Sequence, residues 1–145
     1  MDWKKISIER LRDYKQKKES LLLLPEQIET LELNFTAIRA ATADETSVKG
    51  SGNKRDDSLI NNIVMREQLK MNLEIAKKEV EITERALSEL TSEQQSVLLK
   101  FFINRSHGHI DALCDELCIE KSAVYKIKDE ALRAFTLTCY GVVDL

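Results

Sequence analysis

The chain has 145 residues, 43% hydrophobic and 32% charged, with four glycines, one proline and a net charge of −3. So few backbone breakers favour long helices over short strands and tight turns, and no apolar run approaches the ~20 residues of a membrane-spanning helix. The acidic balance counts against tight autonomous binding to nucleic acid, since domains that bind it strongly alone are usually basic.

Met1-Asp2-Trp3-Lys4-Lys5 lacks the apolar segment and cleavage site of a secretion signal, so a cytoplasmic location is expected. Cys114, Cys118 and Cys139 are an odd set without a disulfide framework, expected as small buried hydrophobes in a reducing compartment.

Residues 7–40 read as helix. Ile8, Leu11, Leu21 and Leu22 fall on related faces with Tyr14 beside them. Pro25 permits a new first turn, and Ile28, Leu31, Phe35 and Ile38 continue at spacings of three, four and three. From Ala41 to Ser58 the periodicity stops, which predicts a flexible connection. Gly50-Ser51-Gly52-Asn53-Lys54 lacks the second glycine followed by Lys-Ser/Thr of a nucleotide-binding loop, so that reading is rejected.

Residues 59–90 predict the clearest helix. Leu69, Leu73, Ala76, Val80, Thr83, Leu87 and Leu90 form a heptad seam, while Ile60, Ile63, Met71, Ile75 and Ile82 make a second stripe. The two helical arms are of similar length, about 50 Å, and fold most economically as a hairpin. The second stripe is left for another neighbour, such as a homodimer partner. The expected domains are therefore 1–90, a coiled-coil-like helical hairpin with its loop at 41–58, and 91–145.

Thr91 with Gln94 makes a capping box for a helix carrying Val97, Leu98, Phe101 and Phe102, ending near Asn104. After the loop 105–109, Leu113 to Phe135 reads as two amphipathic helices joined at a tight corner, the pattern of a helix-turn-helix. The fold class is all-α, with a C-terminal three-helix domain. Ala123, Val124, Ile127, Ala131, Ala134 and Phe135 share the inward arc of the last helix. Its outward side carries Lys121, Ser122, Tyr125 and Lys126, placed to enter a DNA major groove, with Lys128 and Arg133 bracing the backbone. Asp129 and Glu130 would repel phosphate, so contact should fade towards the C-terminal half. The whole segment 91–145 carries six Lys/Arg against eight Asp/Glu.

His107, His109, Cys114 and Cys118 are permitted zinc ligands, but the helix-turn-helix pattern points both cysteines inward, so no metal site is expected. No nucleophile–base arrangement is evident, and neither an enzyme nor a cofactor is expected.

Leu90 to Leu98 followed by Leu113 to Phe135 resembles region 4 of bacterial sigma factors. The whole chain resembles the ArpU-like late transcription regulators of phages and prophages, most strongly over Ser122 to Leu132 and more weakly over Gly50 to Asp57. That resemblance implies double-stranded DNA and RNA polymerase as partners, and transcriptional control of phage genes in a bacterial host. Three positions depart from the pattern: Cys118 replaces the usual corner glycine, Glu120 the capping serine or threonine, and Cys114 the alanine of the support helix. Two rival functions fit the same elements, a small terminase-like DNA-packaging protein and a protein–protein interaction module.

Overall fold

The computed structural model describes residues 1–43 and 52–144. The protein is all-α: α1 (Trp3–Ala43), α2 (Gly52–Ser88), α3 (Ser92–Leu98), α4 (His109–Leu117) and α5 (Lys121–Tyr140), with a π-helical turn, Leu99–Ile103, running on from α3. No strand occurs among the described residues, and no helix there is long and apolar enough to cross a membrane.

Pro25 does not divide the first arm. It sits exposed inside an unbroken α1. An interior proline forfeits a backbone hydrogen bond at a cost of about 3 kcal/mol, and here the packing of Leu24 and Ile28 on either side offsets it. The expected loop at 41–58 is also corrected. Residues 41–43 belong to α1 and 52–58 to α2, and the remainder lies outside the described residues. The polar composition of 52–58 concealed a helix start that needs no apolar face of its own.

The chain divides into two compact units: Lys18–Lys77, and Met1–Lys17 together with Lys78–Leu145. In Lys18–Lys77 the seam of α1 is Leu21, Leu24, Ile28, Leu31, Phe35 and Ile38, all buried or half-buried. Leu22, expected to share the face of Leu21, is instead exposed, because it lies off the heptad seam that Leu24 continues. On α2 the seam extends ahead of the expected Leu69, through Leu59 and the polar Asn62 and Arg66. Asn62 Nδ2 donates to the Leu31 carbonyl at 2.8 Å, and the Arg66 guanidinium lies over the Phe35 ring at 4.9 Å. The Leu31–Asn62 contact stands about equally far from the end of α1 and the start of α2. The two helices therefore run antiparallel, as arms of a hairpin. Ile60, Ile63, Met71, Ile75 and Ile82, the second stripe, are all exposed.

The other unit is built around α5. Leu11 of α1, Ala86 of α2 and the succeeding Leu90, Leu98 of α3, and Ala131, Leu132 and Phe135 of α5 form one buried cluster. Val97, Phe101, Leu113 and Val124 form another, beneath the helix-turn-helix. The unit thus extends beyond 91–145: the beginning of α1 and the end of α2 supply part of its core. Polar contacts reinforce the join. Thr136 and Ser7 share a fully buried hydroxyl–hydroxyl hydrogen bond of 2.8 Å. Arg10 donates from Nε to Tyr140 Oη at 2.9 Å, and its Nη1 pairs with Glu79 Oε2 at 2.7 Å. Trp3 packs tilted on Tyr140 with ring centroids 5.0 Å apart.

Candidate nucleic-acid interface

The site grows from the corner between α4 and α5. Thr91 and Gln94 make the expected capping box, fixing the start of α3. The π turn that follows, closed by Asn104 N–H on the Leu99 carbonyl at 2.7 Å, carries two adjacent rings. Phe101 is buried beneath the helix-turn-helix, while Phe102 packs partly against both clusters. The floor on which α4 and α5 rest is set by this turn.

α4 ends on Cys118, which takes φ 55° and ψ 45°. It is the one non-glycine residue with positive φ among those described. The left-handed step turns the chain sharply, and both the Cys118 and Ile119 N–H groups return to the Cys114 carbonyl. The corner is therefore made despite the absence of glycine, at the strain cost of a side chain in that region. Cys118 itself is exposed and Cys114 half-buried, so the expectation that both point inward is corrected: a corner residue in this conformation projects its side chain to solvent. Cys139 is half-buried, and burial pushes its thiol pKa up while Arg10 draws it the other way. No three His, Cys, Asp or Glu side chains come together as a metal site among the described residues.

α5 starts at Lys121 behind Glu120, which occupies the N-cap without a side-chain capping bond. Its inward arc follows the expected one: Val124, Ala131 and Phe135 are buried, and Ala123, Ile127 and Ala134 half-buried. Lys121, Ser122, Tyr125, Lys126 and Arg133 are all exposed. Lys128 differs. Its ammonium lies 5.7 Å from the Phe101 ring centroid, 5.6 Å from that of Tyr125 and 3.2 Å from Asp129 Oδ1. A cation held over two rings and beside a carboxylate is poorly placed to brace a phosphate. The expected site thus separates into an open set and one lysine turned back on its own helix. Exposed Glu120, Asp129 and Glu130 border the open set.

Sequence reasoning weighed the neighbouring loop only for zinc, through His107 and His109, and gave it no part in the interface. Arg105, Ser106, His107, Gly108, His109, Ile110, Asp111 and Lys121 line one open cleft of about 580 Å³. His109 is anchored as its wall: its Nδ1 lies 3.2 Å from the Ser106 carbonyl oxygen, and its ring stands at 85° to that of Phe101 with centroids 4.8 Å apart. Gly108, at φ +77°, precedes α4 and gives the loop its turn. Arg105 and His107 are exposed beside Lys121, and Asp111 is the cleft's one carboxylate. The cleft gathers basic groups from the loop before α4 and from the first residue of α5, at no helical or strand spacing, so no local motif announces it.

The family described as "Protein of unknown function (DUF1492)" matches residues 38–136. The chain belongs to that family. The DUF1492 match takes in all of α2, α3 and α4, the corner and most of α5, and therefore the whole of the open set and the cleft. No curated protein and no solved structure matches this DUF1492 chain.

Proposed function

We propose that the protein is a sequence-specific, double-stranded-DNA-binding regulator of phage transcription, with α5 as its recognition helix and a homodimer as its working form. The observation that carries this reading is the two-sided character of α5. Its apolar arc is used up in the core, while Lys121, Ser122, Tyr125, Lys126 and Arg133 remain open to solvent. In this reading Lys121, Ser122, Tyr125 and Lys126 meet base edges or phosphates near the N-terminal end of the helix, and Arg133 braces the backbone. The cleft of Arg105, His107 and Lys121 seats an adjacent backbone phosphate, which positions the helix without reading sequence. The acidic balance makes each single site weak, so affinity is assigned to two linked sites in a homodimer and to RNA polymerase as a further partner. The sigma-like resemblance of the helix-turn-helix supports the second of these.

Selection of bound fragments from a random DNA pool, with and without RNA polymerase, tests the proposal. A recovered consensus bound by the wild type is expected. Changing Lys121 and Lys126 together to Ala should weaken binding to it roughly 10- to 100-fold with helicity unchanged. Equal binding by the double variant removes the site assignment. The exposed carboxylates of Glu120, Asp129 and Glu130 favour a second reading, in which this face binds a basic protein surface. Absence of any selected sequence in both conditions would favour it.

A further inference from the structure

Within Lys18–Lys77, the outer face of α2 carries large apolar side chains that the hairpin leaves open. Ile60, Val64, Met71 and Ile75 are 55%, 61%, 60% and 55% exposed. At about 100° per residue they fall within an arc of roughly 60°, on the side of the helix away from the Asn62, Leu69, Leu73 and Ala76 seam. Single exposed aliphatics are ordinary, but a row of four at helical spacing marks an interaction surface. The two edges of the row differ. One carries Glu67, Lys70 and Glu74, with Glu67 and Lys70 paired at 3.4 Å, and the other carries the amides Asn61, Gln68 and Asn72.

We propose that this face is a homodimer interface in which α2 packs antiparallel against α2 of a second copy, the two-fold axis passing beside Glu67 and Gln68. The sequence itself has the required symmetry. Ile60 and Ile75 stand equally far from that point, as do Val64 and Met71, so Ile60 meets Ile75 of the second copy and Val64 meets its Met71. Charge selects the polarity. An antiparallel two-fold brings each edge against its own counterpart, so the two copies of Glu67 meet beside the axis and Lys70 of each copy flanks the other's Glu67, closing a neutral cluster of two carboxylates and two ammonium groups. A parallel pair sets the charged edge against the amide edge and leaves those charges without cross-partners. The inference rests on the homodimer part of the proposed function and is independent of the DNA reading.

Sedimentation equilibrium of the full chain should give a dimer. Val64→Glu with Met71→Glu, both at exposed positions, should weaken association at least 100-fold with unchanged helicity by circular dichroism. Lys70→Glu alone should weaken it, and adding Glu67→Lys should restore it. Register is read by a short bis-maleimide on a Cys118→Ala background. Gln68→Cys should cross-link to itself, and Ile60→Cys only when mixed with Ile75→Cys, because antiparallel packing holds the two copies of position 60 about 22 Å apart. A monomer or a ring of many subunits overturns the dimer. A dimer in which Ile60→Cys cross-links to itself overturns the antiparallel register. DNA selection by a monomeric chain would leave the recognition-helix reading standing while this one fell.

Discussion

Cys118 is the residue on which the helix-turn-helix corner depends. Its positive φ places a Cβ where the left-handed region disfavours one by about 1–2 kcal/mol, partly offset by the entropy that glycine would lose on folding. Cys118→Gly should therefore raise stability by about 0.5–1 kcal/mol, read as a higher urea midpoint at unchanged slope. Lys128 makes a complementary case. Because its ammonium lies over Phe101 and Tyr125, Lys128→Ala should lower stability by about 0.5–1 kcal/mol. Its effect on DNA affinity should be smaller than that of Lys121→Ala, measured on the same selected fragment. The lysines of α5 look alike in the sequence, and only the ring pair beneath one of them separates their roles. Phe101 reaches that position from another helix, which explains why periodicity along α5 did not reveal it.

At the scale of the helix, the start of α5 is underbuilt. Glu120 holds the N-cap position without a side-chain bond to the first turn and adds a negative charge beside Lys121. Glu120→Thr should supply the missing cap, stabilising the protein by about 0.5–1 kcal/mol. It should also tighten DNA binding, because a carboxylate near the phosphates is removed; titration of fluorescent DNA with both proteins checks this. Elements with an apolar period were legible in the sequence. The α2 seam, the Thr91–Gln94 cap and the inward arc of α5 all follow from spacing and propensity. The misread features depend on partners elsewhere. Polar Asn62 and Arg66 take seam positions because Leu31 and Phe35 meet them, and Pro25 stays helical because its neighbours pack. The π turn at Leu99–Ile103 has no sequence signal of its own. The cleft beside Lys121 was hidden for the same reason, since residues 105–111 and 121 converge only through folding.

For the molecule as a whole, the boundary expected at residue 90 encloses one of the two buried clusters and cuts through the other. Leu11, Ala86 and Leu90 are buried with Phe135, and Ser7 is bonded to Thr136. A fragment of residues 91–145 would expose the apolar face that these residues cover and leave the Thr136 hydroxyl without its Ser7 partner. It should show no cooperative thermal transition, whereas a single chain joining residues 1–17 to 78–145 through a flexible linker should regain one. Scanning calorimetry of the two polypeptides gives the comparison.

The bond between Ser7 and Thr136 also orders events during synthesis, since 129 positions separate its ends. A ribosome makes the first of these residues long before the second, and α5 leaves the exit tunnel after α1 to α4. The apolar side of Leu11 must wait through translation of the rest of α1 and of α2 to α4 before α5 completes its covering. Chains cut short before α5 would therefore carry an unclosed core, which makes them substrates for chaperones and proteases.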